Sequence, residues 1–489
     1  MLRRALLWAT LAVVGAFSPN GPFEVPFLGS GDFLFRLAKR QPLPDVMKAY
    51  RQKYGEIFRL KTGPIRQYWI TDAEGPLAEK LYNLDACSGR SQLKEPAFGG
   101  EFLFLTRDLD KARVIRKKQR EFVKSRATAS RISASVSMAF PAIESSFHSA
   151  SGSEKVGLWD QEAVCRNSVR ALLGTLIGGP EEGAGDVKEG WLTDPELDEL
   201  LEVTAAYRRR GGRGKKLGSK ESYVQQISSI LQKALKRCPE SNMPSDSART
   251  AALPILVSAI VGGAEIYPLL LQWAARHLAV SPGLQEALRA DCRVEIGEAG
   301  KVELKYGSLV QRTVNYLAWA HPYSAAIGPP RKVTENVLCE VNMAAPSQAP
   351  RMQQLQLDKE AIMFIVHPGL ALDWNKRIFF SNKGEGDQSI KAAVELRSSA
   401  KASTEEVHAC KSSNWPMFGM GERSCIASEM SVNFLSAMLC ALLTSYQIRP
   451  SKEAELRPLE DLFAYAEDGS LLVPAQQDIS LQMVPINMQ

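Results

Sequence analysis

The stretch Phe418-Gly419-Met420-Gly421-Glu422-Arg423-Ser424-Cys425-Ile426-Ala427 has the residue types and spacing best suited to chemistry in this chain. Its two glycines let the backbone turn tightly and approach a flat ligand closely. Arg423 offers a planar fork that pairs bidentately with a carboxylate. Cys425 leads into an apolar run, Ile426 to Leu443, that reads as a helix. A thiol at a helix N-terminus sits at the positive end of the dipole, which favours the thiolate. The plainer reading is a structural cysteine after a glycine turn, since free cysteine packs as a small hydrophobe. Phe, two Gly, Arg and Cys in one register weigh against it.

The pattern Phe-Gly-x-Gly-x-Arg-x-Cys-x-Ala resembles the haem-binding signature of the cytochrome P450 superfamily. The resemblance implies a mainly α protein with the P450 fold and a small β region, binding haem b. Cys425 would be the axial ligand of the iron, with Phe418, Gly419, Gly421, Arg423 and Ala427 around the porphyrin. A thiolate on haem iron pushes electron density towards dioxygen and favours O–O cleavage.

Other segments extend the likeness. Ala251 to Trp273 is the most hydrophobic internal stretch, long enough to span a bilayer but interrupted by Glu265 and Pro268. It resembles helix I of the family. Pro268 has no N–H, so the Ala264 carbonyl loses its helical partner and a kink is expected there. The resemblance makes Glu265 the proton-relaying acid and puts Ala264 and Ile266 in the distal wall. Arg107 to Ser125 is a basic helix that resembles helix C, with Arg116 reaching a haem propionate and its other cations facing solvent or an acidic redox partner. Pro329-Pro330-Arg331 resembles the strand start whose Arg contacts a propionate, so Arg116, Arg331 and Arg423 would form a cationic clamp.

The chain also departs from the family. Ala112 replaces the helix C Trp, and Ile266 replaces the helix I alcohol with a side chain that cannot hydrogen-bond. Tyr267 follows, but about 100° around the helix. In helix K, Tyr316 and Trp319 stand where the family has Glu-x-x-Arg. An apolar replacement of a buried ion pair can be neutral for stability. Val366 to Ala409 matches the family's meander poorly and reads as loop with a short helix, Ser389 to Ala400.

The positioning elements follow from local pattern. Met47 to Tyr54 reads as a helix, Ile57 to Lys61 and Gln67 to Thr71 as paired strands about Gly63-Pro64, and Pro76 to Leu81 as a helix. Asp194 to Tyr207 and Ser222 to Arg237 read as amphipathic helices, with Asp194 and Pro195 as cap and first turn. Between them lies a basic loop, Arg208 to Lys216, suited to anionic headgroups or to plain solvation. Leu471 to Val473 and Ile479 to Leu481 read as late strands.

Composition is ordinary for a globular protein: 489 residues, 45% hydrophobic, 23% charged, net charge +6. That mild charge does not suggest a nucleic-acid partner. Eight cysteines without CxxC spacing disfavour zinc and iron–sulfur sites and a disulfide scaffold. Arg3 and Arg4 precede an apolar run, Ala5 to Phe17, short for a full span. Residues 1–17 therefore read as a signal or membrane anchor, 18–30 as a proline-rich hinge resembling that of microsomal P450s, and 31–489 as the haem domain. This favours an endoplasmic-reticulum membrane protein facing the cytosol. Gly15-Ala16-Phe17 leaves a plastid address as the alternative.

Three functions follow from the resemblance. The first is a monooxygenase oxidising an apolar small molecule, with electrons from a separate reductase or ferredoxin, since no nucleotide-binding motif is present. The second is an oxygen-independent isomerase or dehydratase of oxygenated lipids, for which Ile266 would do no harm. The third is an inactive haem-binding protein.

Overall fold

A computed structural model of the chain describes residues 24–25, 29–38, 43–62, 65–71, 76–87, 89–90, 108–151, 156–178, 192–208, 220–238, 245–279, 281–296, 302–320, 331–342, 352–366, 418–419, 421–450, 463–465, 472–474 and 481–486. The expected anchor (1–17), most of the hinge, the basic loop beyond Arg208, Pro329-Pro330, the helix at 389–400 and Cys410 lie outside these residues.

The protein is mainly helical with small, separate β sheets. Strands β1 (Glu24–Val25) and β2 (Gly29–Ser30) precede helices α1 (Gly31–Ala38) and α2 (Leu43–Tyr54). A hairpin follows, β3 (Ile57–Thr62) and β4 (Ile65–Ile70), in the register Ile57 opposite Ile70. Then come α3 (Pro76–Asn83) and the short strand β5 (Gly89–Arg90). All four of the N-terminal elements read from sequence are present, with ends shifted by a few residues. Their apolar faces bury Tyr50, Phe58, Leu60 and Ile70 completely or nearly so.

Helices α4 (Leu109–Arg126) and α5 (Ala129–Ser151), the short strand β6 (Gly157–Leu158) and α6 (Gln161–Ile177) open the helical body. Asp108 caps α4 by accepting from Lys111 N at 3.0 Å, and Asp160 caps α6 through Ala163 N at 3.0 Å. Helices α7 (Asp194–Arg208) and α8 (Lys220–Arg237) form the expected amphipathic pair. The cap of α7 differs from expectation. Thr193 and Glu196 form a reciprocal capping box, Glu196 accepting from Thr193 N at 3.0 Å, while Asp194 turns to an ion pair with Arg170.

The long apolar stretch is two helices, α9 (Asp246–Gly263) and α10 (Ile266–Ala279), with Ala264 and Glu265 in a turn between them. The break falls where Pro268 withholds an N–H from the Ala264 carbonyl. By length and hydropathy 248–279 could cross a membrane, but 61% of its most apolar window is buried inside the protein, as in a core helix.

Helix α11 (Pro282–Ala290) leads to an unforeseen hairpin, β7 (Cys292–Ile296) with β8 (Val302–Tyr306), then α12 (Ser308–Ala320). Strands β9 (Arg331–Lys332), β10 (Val337–Asn342), β11 (Met352–Leu357) and β12 (Ile362–Ile365) follow. Helix α13 (Ser428–Ser445) is buried along most of its length. The chain ends in β13 (Tyr446–Pro450), β14 (Phe463–Tyr465), β15 (Leu472–Pro474) and β16 (Leu481–Pro485).

The largest sheet has the order β1-β2-β3-β4-β12-β9-β5, so β9, which begins at Arg331, is locked between β12 and β5. One apolar core joins helices α4 through α13, and a second lies against the large sheet. The cysteine loop sits between these two bodies, touching α3 from the sheet side and α4 from the helical side.

Candidate haem-binding site

The loop before α13 is built by its glycines. Gly419 and Gly421 have φ of +72° and +63°, conformations that side chains with a Cβ rarely adopt. Gly421 meets a second demand, because a Cβ there would lie 2.3 Å from the Tyr82 carbonyl oxygen on α3. Residues Gly421–Arg423 make one tight helical turn, closed by Ser424 N donating to Gly421 O at 3.0 Å. Cys425 N then donates to Phe418 O at 2.6 Å, so the loop folds back on itself around the thiol.

Helix α13 starts at Ser428, two residues later than its apolar run suggests, with Ala427 as N-cap. Ala427 has no side-chain oxygen to cap the helix, but its N–H points to Cys425 Sγ at 3.4 Å. The Cys425 side chain is solvent-accessible, although it lies deep among protein atoms. Desolvation pushes its pKa up, while the Ala427 N–H and the Arg116 charge oppose that rise. The sequence places the thiol at a helix N-terminus that would favour the thiolate; the helix starts three residues later, and burial outweighs the groups that do favour it.

Three arginines from distant parts of the chain meet here. Arg116 on α4 donates through Nη2 to Ser424 Oγ at 2.7 Å and through Nη1 to the Ser424 carbonyl. Arg331, only 2% exposed, donates to the Tyr82 carbonyl at 2.8 Å and lies over the Tyr82 ring, 3.6 Å from its centroid. Arg423 is 9% exposed. Burial pushes the Arg331 pKa down to about 10, and the neighbouring Arg423 and Arg116 charges depress it further. Burial and Arg116 likewise lower Arg423, with Glu422 and Asp108 in partial compensation. A dianionic ligand among these guanidiniums would relieve both the desolvation and the repulsion. That is the chemistry of the two haem propionates, so the side chains fit the group.

Arg113, one turn before Arg116, ties α4 to Asp85 at 2.9 Å and approaches Glu422 at 3.6 Å. Lys117, Lys118 and Arg120 face solvent. Ala112, in the family's Trp position, is 2% exposed and packed.

At the break between α9 and α10, Ala264 is buried and Ile266 packs half-buried against the main core. Glu265 turns towards α6, where its charge helps desolvation raise the Cys165 thiol to about 12. Tyr267 turns the other way. Its hydroxyl meets Ser431 Oγ at 2.8 Å, and the Cys425 charge reaches it. Tyr316, where the resemblance expects an ion-pair residue, is a buried core residue.

The structure thus gathers Cys425, Arg116, Arg331 and Arg423, with Phe418, Gly419, Gly421 and Ala427 framing the thiol. Glu265 instead acts on Cys165 of α6. Sequence reasoning missed Ser424, Tyr82 and Ser431, polar partners that no motif position demands, and it set Tyr267 aside. Among the described residues no group of three or more His, Cys, Asp or Glu side chains could hold a metal ion. Haem iron needs no such group, because the porphyrin supplies four donors and the protein one axial ligand. No family model matches the chain, and no curated protein matches it.

Proposed function

We propose that the protein is a haem-thiolate monooxygenase of the cytochrome P450 type, acting on an apolar small molecule with electrons from a separate reductase or ferredoxin. The observation that carries this reading is the convergence of Arg116, Arg331 and Arg423, two of them almost wholly buried, on the glycine loop that presents Cys425. In this reading Cys425 Sγ would bind the haem iron, and the three guanidiniums would hold the propionates. Phe418, Gly419, Gly421 and Ala427 would shape the loop that presents the thiol. Bound haem supplies activation of dioxygen, which a thiolate ligand promotes.

The chain's own residues do the rest. Ala264 and Ile266, apolar and packed on the main core, would exclude water from the far side of the site. Glu265 would pass protons through its carboxyl at the α9–α10 break, where the interrupted helix leaves the Ala264 carbonyl without its usual N–H. The exposed cations of α4, Lys117, Lys118 and Arg120, offer an acidic redox partner its footing. The apolar N-terminal run supports a membrane location on the cytosolic face of the endoplasmic reticulum, with the plastid as the alternative.

The test is the spectrum of the reduced protein with carbon monoxide. Wild-type protein should give a thiolate-type Soret band, Cys425→Ala should lose it and Cys410→Ala should keep it. Loss with Cys410→Ala instead would move the ligand and overturn the assignment. Ile266, apolar and packed on the core, favours a second reading in which a haem-thiolate isomerase or dehydratase rearranges an oxygenated lipid without dioxygen. Anaerobic turnover of a fatty-acid hydroperoxide would decide for it.

A further inference from the structure

Tyr267 is fully enclosed, and its surroundings are unusually specific. Its ring folds back across α9, so that a Cβ on Gly263 would lie 2.8 Å from Tyr267 Cε2. The ring also packs on Phe434 of α13, with centroids 5.1 Å apart. Its hydroxyl contacts Ser431 Oγ at 2.8 Å, and Ser431 Oγ donates to the Ala427 carbonyl at 2.8 Å. Since the Ser431 proton is spent on Ala427, the Tyr267 O–H must be the donor to Ser431. The result is a directed relay from the helix break, through Ser431, to the residue whose own N–H reaches Cys425 Sγ.

Ala427 is the place where such a relay matters. A helix N-cap is normally fixed by its own side-chain oxygen, and alanine has none. Ser431 therefore grips Ala427 twice, by its backbone N–H and by its hydroxyl, each at 2.8 Å. The geometry points to Tyr267 as a positioning residue that, with Ser431, aims the Ala427 N–H at Cys425 Sγ and so sets how strongly that sulfur donates to a bound metal. This rests on the haem-thiolate reading. A hydrogen bond to a ligating sulfur withdraws density and favours the reduced metal. Loosening the Ala427 N–H should lower the ferric/ferrous midpoint potential.

The test is spectroelectrochemical titration of the purified holoprotein and of Tyr267→Phe, Ser431→Ala and Ser431→Thr. At the wild-type midpoint, Tyr267→Phe and Ser431→Ala should each hold the ferric form in about a threefold to tenfold excess. Their carbon monoxide Soret bands should also shift. Ser431→Thr keeps a hydroxyl and should retain the wild-type potential. The double variant should move no further than either single one, because both cut the same relay. A wild-type protein without the thiolate band would overturn the haem assignment itself. A wild-type band with unchanged potential in Ser431→Ala would overturn the relay alone, and that variant decides the matter if Tyr267→Phe does not fold.

Discussion

Arg331 and Tyr82 hold each other twice: the guanidinium stands 3.6 Å above the phenol ring while its Nη1 donates to the Tyr82 carbonyl at 2.8 Å. The same carbonyl is the atom against which Gly421 is pressed. One peptide on α3 therefore fixes both a buried cation and the loop that carries the thiol.

That double use predicts unequal glycines. Gly419→Ala meets only a positive φ, with no atom nearer than 3.7 Å, and should cost about 1 kcal/mol. Gly421→Ala adds a collision with backbone, which cannot rotate away, and should cost about 1–3 kcal/mol more. Urea midpoints of the two variants measure the difference. Equal midpoints would mean that the loop does not press on Tyr82.

Arginines one turn apart on α4 should behave differently. Arg116 is part-buried and makes two charge-assisted bonds to Ser424, so Arg116→Ala should lose about 2 kcal/mol and weaken haem retention. Arg113 pairs with carboxylates at the surface, where salt and water screen it, and Arg113→Ala should leave both nearly unchanged. Denaturation and haem-loss rates for the two variants check this.

His277 sets an acid limb on stability. It is buried, and desolvation, with the Arg276 charge, pushes its pKa from 6.5 down to about 3. Between those values the unfolded chain takes up a proton that the folded protein refuses. Stability should therefore fall as pH drops below 6.5, by up to about 1.4 kcal/mol per unit, and this loss should level off near pH 3. Above 6.5 the group contributes no slope. His277→Gln should flatten this part of the profile, read as denaturant midpoint against pH.

Glu265→Gln separates the two enzymatic readings. If Glu265 delivers protons in oxygen chemistry, turnover should drop by about a hundredfold while the haem spectrum is kept. If the protein rearranges a hydroperoxide without dioxygen, turnover should be little changed.

The sequence was most legible where chemistry and backbone restrict the same residues. The glycines could be read because a positive φ demands glycine, and Arg423 and Cys425 because a carboxylate fork and a metal-binding sulfur, as the proposed function has them, each demand particular residue types. Pro268 foretold the helix break because a missing N–H has one consequence. Arg116 could be placed inward only by resemblance, since its neighbours Lys117 and Arg120 look alike in sequence. Ser424 and Tyr82 were invisible because their roles come from contacts made across 308 and 249 residues of chain. The hairpin β7–β8 carries a legible alternation, Cys292, Val294 and Ile296 with Val302, Leu304 and Tyr306 against Arg293, Glu295, Glu303 and Lys305. Its five-residue strands nevertheless give a weak signal, and the helices that cover them, α5 and α13, are distant in sequence. Tyr267 was set aside on helical angle, which the break at 264–265 removed as a guide.

The anchors of the cysteine loop, at Tyr82, Arg116 and Arg331, all leave the ribosome before the loop itself. Until Ser424 is synthesised, Arg116 has no hydroxyl or carbonyl there to hold. Maturation of this centre therefore belongs to the last stage of biosynthesis, and a nascent chain halted at α12 would be unable to begin it.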